Sequence, residues 1–121
     1  MKIFVNCSNH PSVKWPEAQK CAAEKYGSIM DVTFPAVACD LSDSQLEELA
    51  ETTFRKITEH KPDAVMCMGE FVVCFRIVEK LKAAKIKVLA SCSERQAVEH
   101  TEEDGSVRKE TMFTFRGFRE Y

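Results

Sequence analysis

The apolar positions change their period several times along the chain, and the changes mark out the elements. Lys2 to Asn6 predicts a first strand, closed by the turn-forming run Cys7-Ser8-Asn9-His10-Pro11-Ser12. Trp15-Pro16-Glu17 then places a proline where a first helical turn accepts one. Ala18, Cys21, Ala22 and Tyr26 follow as a single apolar stripe ending at Gly27, which predicts a helix. Ile29 to Phe34, bounded by Gly27 and Pro35, predicts a second strand. Ser42-Asp43-Ser44-Gln45 has the form of a capping box, and Leu46, Leu49, Ala50, Thr53 and Ile57 recur at helical spacing as far as His60.

Pro62-Asp63 ends that helix and leads into Ala64-Val65-Met66-Cys67-Met68-Gly69-Glu70. A short apolar run without alternation suits a parallel strand covered on both faces, and Gly69 is expected to turn the backbone into a helix from Phe71 to Ala84. The amides opening such a helix attract an anion or a polar sugar. Lys87 to Ala90 predicts a fourth strand that opens into a polar loop, Ser91-Cys92-Ser93-Glu94-Arg95. Gln96 to Thr101 and Val107 to Phe115, separated by Asp104-Gly105, predict an antiparallel hairpin. Strands and helices in this order imply one α/β domain over residues 1–121, a three-layer arrangement of a mostly parallel sheet with a C-terminal antiparallel hairpin.

Composition narrows the partners. At 45% hydrophobic and 30% charged the chain has the make-up of a globular protein. A formal charge of -2 argues against a broad basic face for long nucleic acid and leaves room only for a local phosphate site. The cysteines at 7, 21, 39, 67, 74 and 92 show no paired metal or redox spacing, so reduced thiols in a cytoplasm are expected. No apolar run approaches the length of a membrane span or a signal-peptide core. There is no lysine-bearing phosphate loop, no dinucleotide glycine triplet and no histidine-carboxylate metal cluster, so a metal-free, cofactor-free reaction is the economical expectation.

Chemistry is expected where strands end, because ligands of open α/β sheets sit beyond the carboxyl ends of the strands. Three segments should converge there: Ser8-Asn9-His10, Gly69-Glu70, and Ser91 to Arg95. His10 can pass a proton near neutral pH, or simply be a solvated loop residue. Ser8 can hold phosphate, and Arg95 can grip two phosphate oxygens with its planar fork or stand on the surface. Ser91 and Ser93 can donate to the same anion or cap a turn. Glu70 is either a first-turn acid favoured by the helix dipole or an acceptor for a ribose hydroxyl or an adenine amine. Arg116 and Arg119 are surface residues unless the tail closes beside the ligand. Met66, Met68 and Phe75 are expected in the core, with Trp15 packed near the first loop. Phe113, Phe115, Phe118 and Tyr121 are expected to pack on a helix or a partner.

Taken together, Ser8-Asn9-His10 with Trp15 and Gln19, the corner Gly69-Glu70-Phe71, the run Ser91 to Arg95 and the ending Phe113 to Tyr121 resemble small stand-alone CRISPR-associated proteins of type III systems. The resemblance implies a minimal CARF-type, Rossmann-like fold and a ring nuclease that binds and cleaves cyclic oligoadenylate, cyclic tetra-adenylate in particular, without metal. It implies His10, Arg95 and Ser8 as catalytic groups, with Asn9, Gly69, Glu70, Phe71, Ser91, Ser93, Arg116 and Arg119 as ligand contacts. A homodimer matching the twofold axis of the ring follows. A protein that binds the ring without cutting it, and one with no nucleotide ligand, are the competing readings.

Overall fold

The computed structural model describes residues 1–121. Its elements are β1 (Ile3–Ser8), a short 3-10 turn (Ser12–Lys14), α1 (Glu17–Glu24), β2 (Ser28–Thr33), α2 (Asp43–Thr58), β3 (Ala64–Cys67), α3 (Phe71–Ala83), β4 (Lys87–Thr101) and β5 (Val107–Glu120). They form one five-stranded sheet in the order β2-β1-β3-β4-β5. The first four strands are parallel and β5 is antiparallel to β4. No helix is long and apolar enough to cross a membrane.

The core divides by the parity of the strands. Val5, Cys7, Val65 and Val88 point to one face and meet Ala50 and Ile57 of α2 with Val73, Ile77 and Leu81 of α3. Phe4, Met66 and Leu89 point to the other, where they meet Trp15 and Ala23, with Tyr26 and Phe118 at the margin. β1 and β3 are thus buried on both sides, which is why their sequences carry no polar alternation. The capping box on α2 forms as the sequence predicts: Gln45 N donates to Ser42 Oγ at 3.3 Å, and Ser42 N donates to Gln45 Oε1 at 2.8 Å.

Three features differ from the sequence reading, and one expected turn has an added cause. Ser91 to Arg95 is strand: β4 continues through it to Thr101, and β5 pairs along its whole length from Leu89↔Glu120 to Thr101↔Val107, with one bulge between Cys92 and Ser93. The hairpin is therefore a long ribbon growing out of the sheet, held by its own hydrogen-bond ladder where no core lies beneath it. Phe75 is 62% exposed, because the buried stripe of α3 runs through Val73, Ile77 and Leu81 and leaves Phe75 outside. Gly69 sits in the bend that turns the chain from β3 into α3, as the sequence predicts, with no left-handed φ. Its constraint is space, since a Cβ there would meet the Phe34 ring at 2.6 Å. Finally, the amides opening α3 are occupied: Glu70 is the N-cap residue, and its carboxylate accepts from Val72 N at 3.0 Å and Val73 N at 2.8 Å.

Candidate functional site

The strand order places β2 and β3 on opposite sides of β1, so consecutive crossovers leave in opposite directions and a crevice opens at the carboxyl ends of β1 and β3. A cavity of about 580 Å³ lies there, within the size range of small-molecule sites. It opens on the face that carries α1. Ser8, Asn9 and His10 border it from β1 and the following loop, Met66, Met68 and Gly69 from β3, and Ser91 and Ser93 from β4. Lys14, Trp15, Pro16 and Gln19 form the wall on the α1 side, and Phe113 of β5 stands opposite.

The β1 loop is set by a buried polar network. Asn6 and Ser8 are both buried, and Ser8 Oγ donates to Asn6 Oδ1 at 2.7 Å. Asn6 Nδ2 donates to the His10 carbonyl at 2.9 Å and to Asp31 Oδ1 at 3.1 Å, and Trp15 Nε1 donates to the same His10 carbonyl at 3.1 Å. His10 N in turn donates to Ser8 Oγ at 3.2 Å. A backbone oxygen held from two sides fixes the path of the loop, while the Asn9 and His10 side chains stay exposed at the rim. The hydroxyl of Ser8 is thereby committed inward. Asn6, Asp31 and Trp15 are the residues that position the loop, and an asparagine inside an otherwise apolar strand is the sequence signal for them.

The structure brings together Ser8, Asn9, His10, Gly69, Ser91 and Ser93, and leaves the other candidates outside the cavity. Glu70 caps its own helix, as described. Phe71, two residues beyond Gly69, is 90% exposed. Arg116 pairs with Glu94 at 3.0 Å on the ribbon, and Arg119 Nη2 donates to Cys92 Sγ at 3.5 Å. Arg95 is exposed on the ribbon. It pairs in register with Phe113 and so shares a ribbon face with it, about 7 Å along the strand from Ser93. It stands beyond the mouth of the cavity.

Sequence reasoning passed over Lys14, which with His10 is one of two side chains on the lining able to carry positive charge, and gave no separate role to Gln19. Both stand near the start of α1, the helix that the strand-end rule does not single out. The strongest proton shifts lie on the opposite face, among buried thiols. Cys67 and Cys74 sit with sulfurs 3.8 Å apart. Hydrogen bonding with Cys67, then with Tyr121, outweighs burial and lowers the Cys74 thiol to about 7. Cys67 is pushed upward by hydrogen bonding to Cys7 and Cys74 and by burial. No group of three or more histidines, cysteines or carboxylates is arranged to hold a metal ion.

The arrangement can bind a polar, partly aromatic ligand: hydroxyls and an amide on the floor, Trp15, Met66, Met68 and Phe113 as apolar walls, and the Lys14 ammonium and His10 imidazole on one side. The model of the family described as "Uncharacterized protein MJ1673 family" matches residues 2–119 of the chain. A search of curated proteins finds no match.

Proposed function

The chain belongs to the MJ1673 family, and we propose that this member is a cytoplasmic ring nuclease that binds cyclic oligoadenylate at the crevice between β1 and β3 and opens it without metal. The five-stranded sheet, with helices on both faces, is read in this proposal as a Rossmann-like, three-layer CARF-type domain. The observation that carries the reading is the convergence of Ser8-Asn9-His10, Gly69 and Ser91 with Ser93 on one cavity at the switch point of a parallel sheet.

Ring opening needs a ribose 2'-hydroxyl brought into line with its neighbouring phosphodiester. The O2'–P bond forms, the P–O5' bond breaks, and a 2',3'-cyclic phosphate is left. The 2'-hydroxyl gives up its proton and the leaving O5' takes one. His10, exposed at the rim, is the group assigned to this transfer. Lys14 meets the phosphate charge at the cavity, and Arg95, beyond Ser93 on the ribbon, meets the part of the ring that overhangs the mouth. Asn9, Ser91 and Ser93 supply neutral donors. The cavity of one chain suits part of a four-nucleotide ring, and a homodimer supplies a second copy around the same twofold axis. The exposed rings of Phe71 and Phe113 near the site are the apolar surface such a pairing would cover.

Binding without cutting is favoured by one observation: Arg95, the expected stabiliser of developing charge, is outside the cavity. Incubation with labelled cyclic tetra-adenylate and a chelator, with separation of products, distinguishes the two. Ring-opened product ending in a 2',3'-cyclic phosphate supports the nuclease, retention without product supports the binder, and no retention refutes both.

A further inference from the structure

Gln19, in the first turns of α1, lines the cavity and is only 9% exposed. Its Nε2 lies 3.7 Å from Sδ of Met66, the single side-chain partner it has within the protein. A thioether sulfur accepts weakly and donates nothing, so the amide stands with its donor toward Met66 and its acceptor turned away. The oxygen Oε1 carries no hydrogen bond from the chain, yet no buried side-chain oxygen or nitrogen lacks a partner. Oε1 therefore keeps some exposure, on a residue that lines the cavity.

Gln19 is thus a nearly buried amide whose oxygen has no partner within the chain. Two thioethers, of Met66 and Met68, and the rings of Trp15 and Phe113 line the same space. Polarisable sulfurs and aromatic faces suit a flat heterocycle, and an acceptor beside a donor suits a ring edge that presents a donor beside an acceptor. Adenine has that edge: the exocyclic 6-amino group next to a ring nitrogen.

We propose that Gln19 is the residue that selects adenine, its Oε1 accepting from the 6-amino group and its second Nε2 hydrogen donating to the adjacent ring nitrogen while the base lies between the thioethers and Phe113. This rests on the nucleotide reading of the cavity above and adds the base that is chosen and the residue that chooses it. Purine lacking the 6-amino group would leave Oε1 without a donor on the base edge.

The test is calorimetric titration of wild type and Gln19→Leu with adenosine 5'-monophosphate, purine riboside 5'-monophosphate and cyclic tetra-adenylate. Wild type is expected to bind the adenine mononucleotide about 10-fold more tightly than the purine analogue, and Gln19→Leu to bind both equally at the weaker level. Equal binding of the two mononucleotides by wild type, or a preference kept in Gln19→Leu, overturns the role of Gln19, even where the cyclic ligand binds and the ring reading stands. An adenine preference lost in Gln19→Leu, with no binding of the cyclic ligand, supports Gln19 and overturns the ring reading. No binding of any ligand overturns both. The wild-type comparison stands without the variant, so a variant that fails to fold leaves the inference open to refutation.

Discussion

The indole Nε1 of Trp15 donates to the backbone carbonyl of His10 at 3.1 Å, tying the start of α1 to the loop that follows β1. One residue thereby serves the core, where its ring meets Phe4 edge-on at 6.3 Å, and the site, where it fixes the rim. Trp15→Phe keeps the apolar ring and deletes the donor. The expected cost is about 1 kcal/mol of stability by denaturant unfolding, together with weaker ligand binding. Loss of stability with unchanged binding would separate the hydrogen bond from the site.

Glu70 and Val73 form the second such relationship, and it bears on how Glu70 was read. With both carboxylate oxygens engaged by Val72 N and Val73 N, the side chain works as a cap for α3. Glu70→Ala should lower stability by about 1 kcal/mol, and Glu70→Ser should restore most of it with ligand affinity unchanged. If Glu70→Ser is stable but binds the cyclic nucleotide poorly, the carboxylate is a ligand contact after all.

Gly69→Ala tests the tight contact beneath the corner. The added methyl would press on the buried Phe34 ring, whose atoms stand at 2.6 Å from the new Cβ. Overpacking of this kind costs about 1–3 kcal/mol, read as a lower melting temperature. The companion Gly69→Ala/Phe34→Leu should recover part of the loss, and no recovery would point to a backbone cause.

Acid sensitivity should report on the α2–α3 contact. Lys80 bonds to both Glu47 and Glu51, and this is the first cause holding each carboxyl below its ordinary 4.5. Groups depressed by folding contribute stability above their unfolded value and lose it as the pH falls through their folded values. Wild type should therefore lose more urea resistance than Lys80→Met as the pH drops from neutral through the carboxylate range. Parallel pH profiles would show that these exposed pairs contribute nothing measurable.

Most elements were legible because their signals are local. The capping box at Ser42, the helical spacing from Leu46 to Ile57 and the unbroken apolar run from Ala64 to Cys67 each depend on neighbours in sequence. The two ends of β4, Lys87 to Ala90 and Gln96 to Thr101, were legible as strands, but the join across Ser91 to Arg95 was not. Ser91 to Arg95 is mostly polar and exposed from Ser93 onward, so it carries no alternation, and only pairing with distant Phe113 to Phe118 makes it strand. The same limit governs the site. Ser8, Asn9, His10, Gly69, Ser91 and Ser93 were found because they flank strand ends, whereas Lys14 reaches the cavity from the 3-10 turn before α1 and Gln19 from α1 itself, beside Met66. Glu70 was ambiguous because a glutamate before a helix reads alike as cap and as ligand contact.

The most direct test of the account is single-turnover incubation of the protein with labelled cyclic tetra-adenylate in the presence of a chelator, comparing wild type with His10→Ala, Lys14→Ala and Arg95→Ala. The account predicts ring-opened product with a 2',3'-cyclic phosphate from wild type. It predicts strongly slowed cutting by His10→Ala, weakened binding by Lys14→Ala and a smaller defect in Arg95→Ala. No retention of the ring by wild type, or cutting at the same rate in His10→Ala, would contradict it.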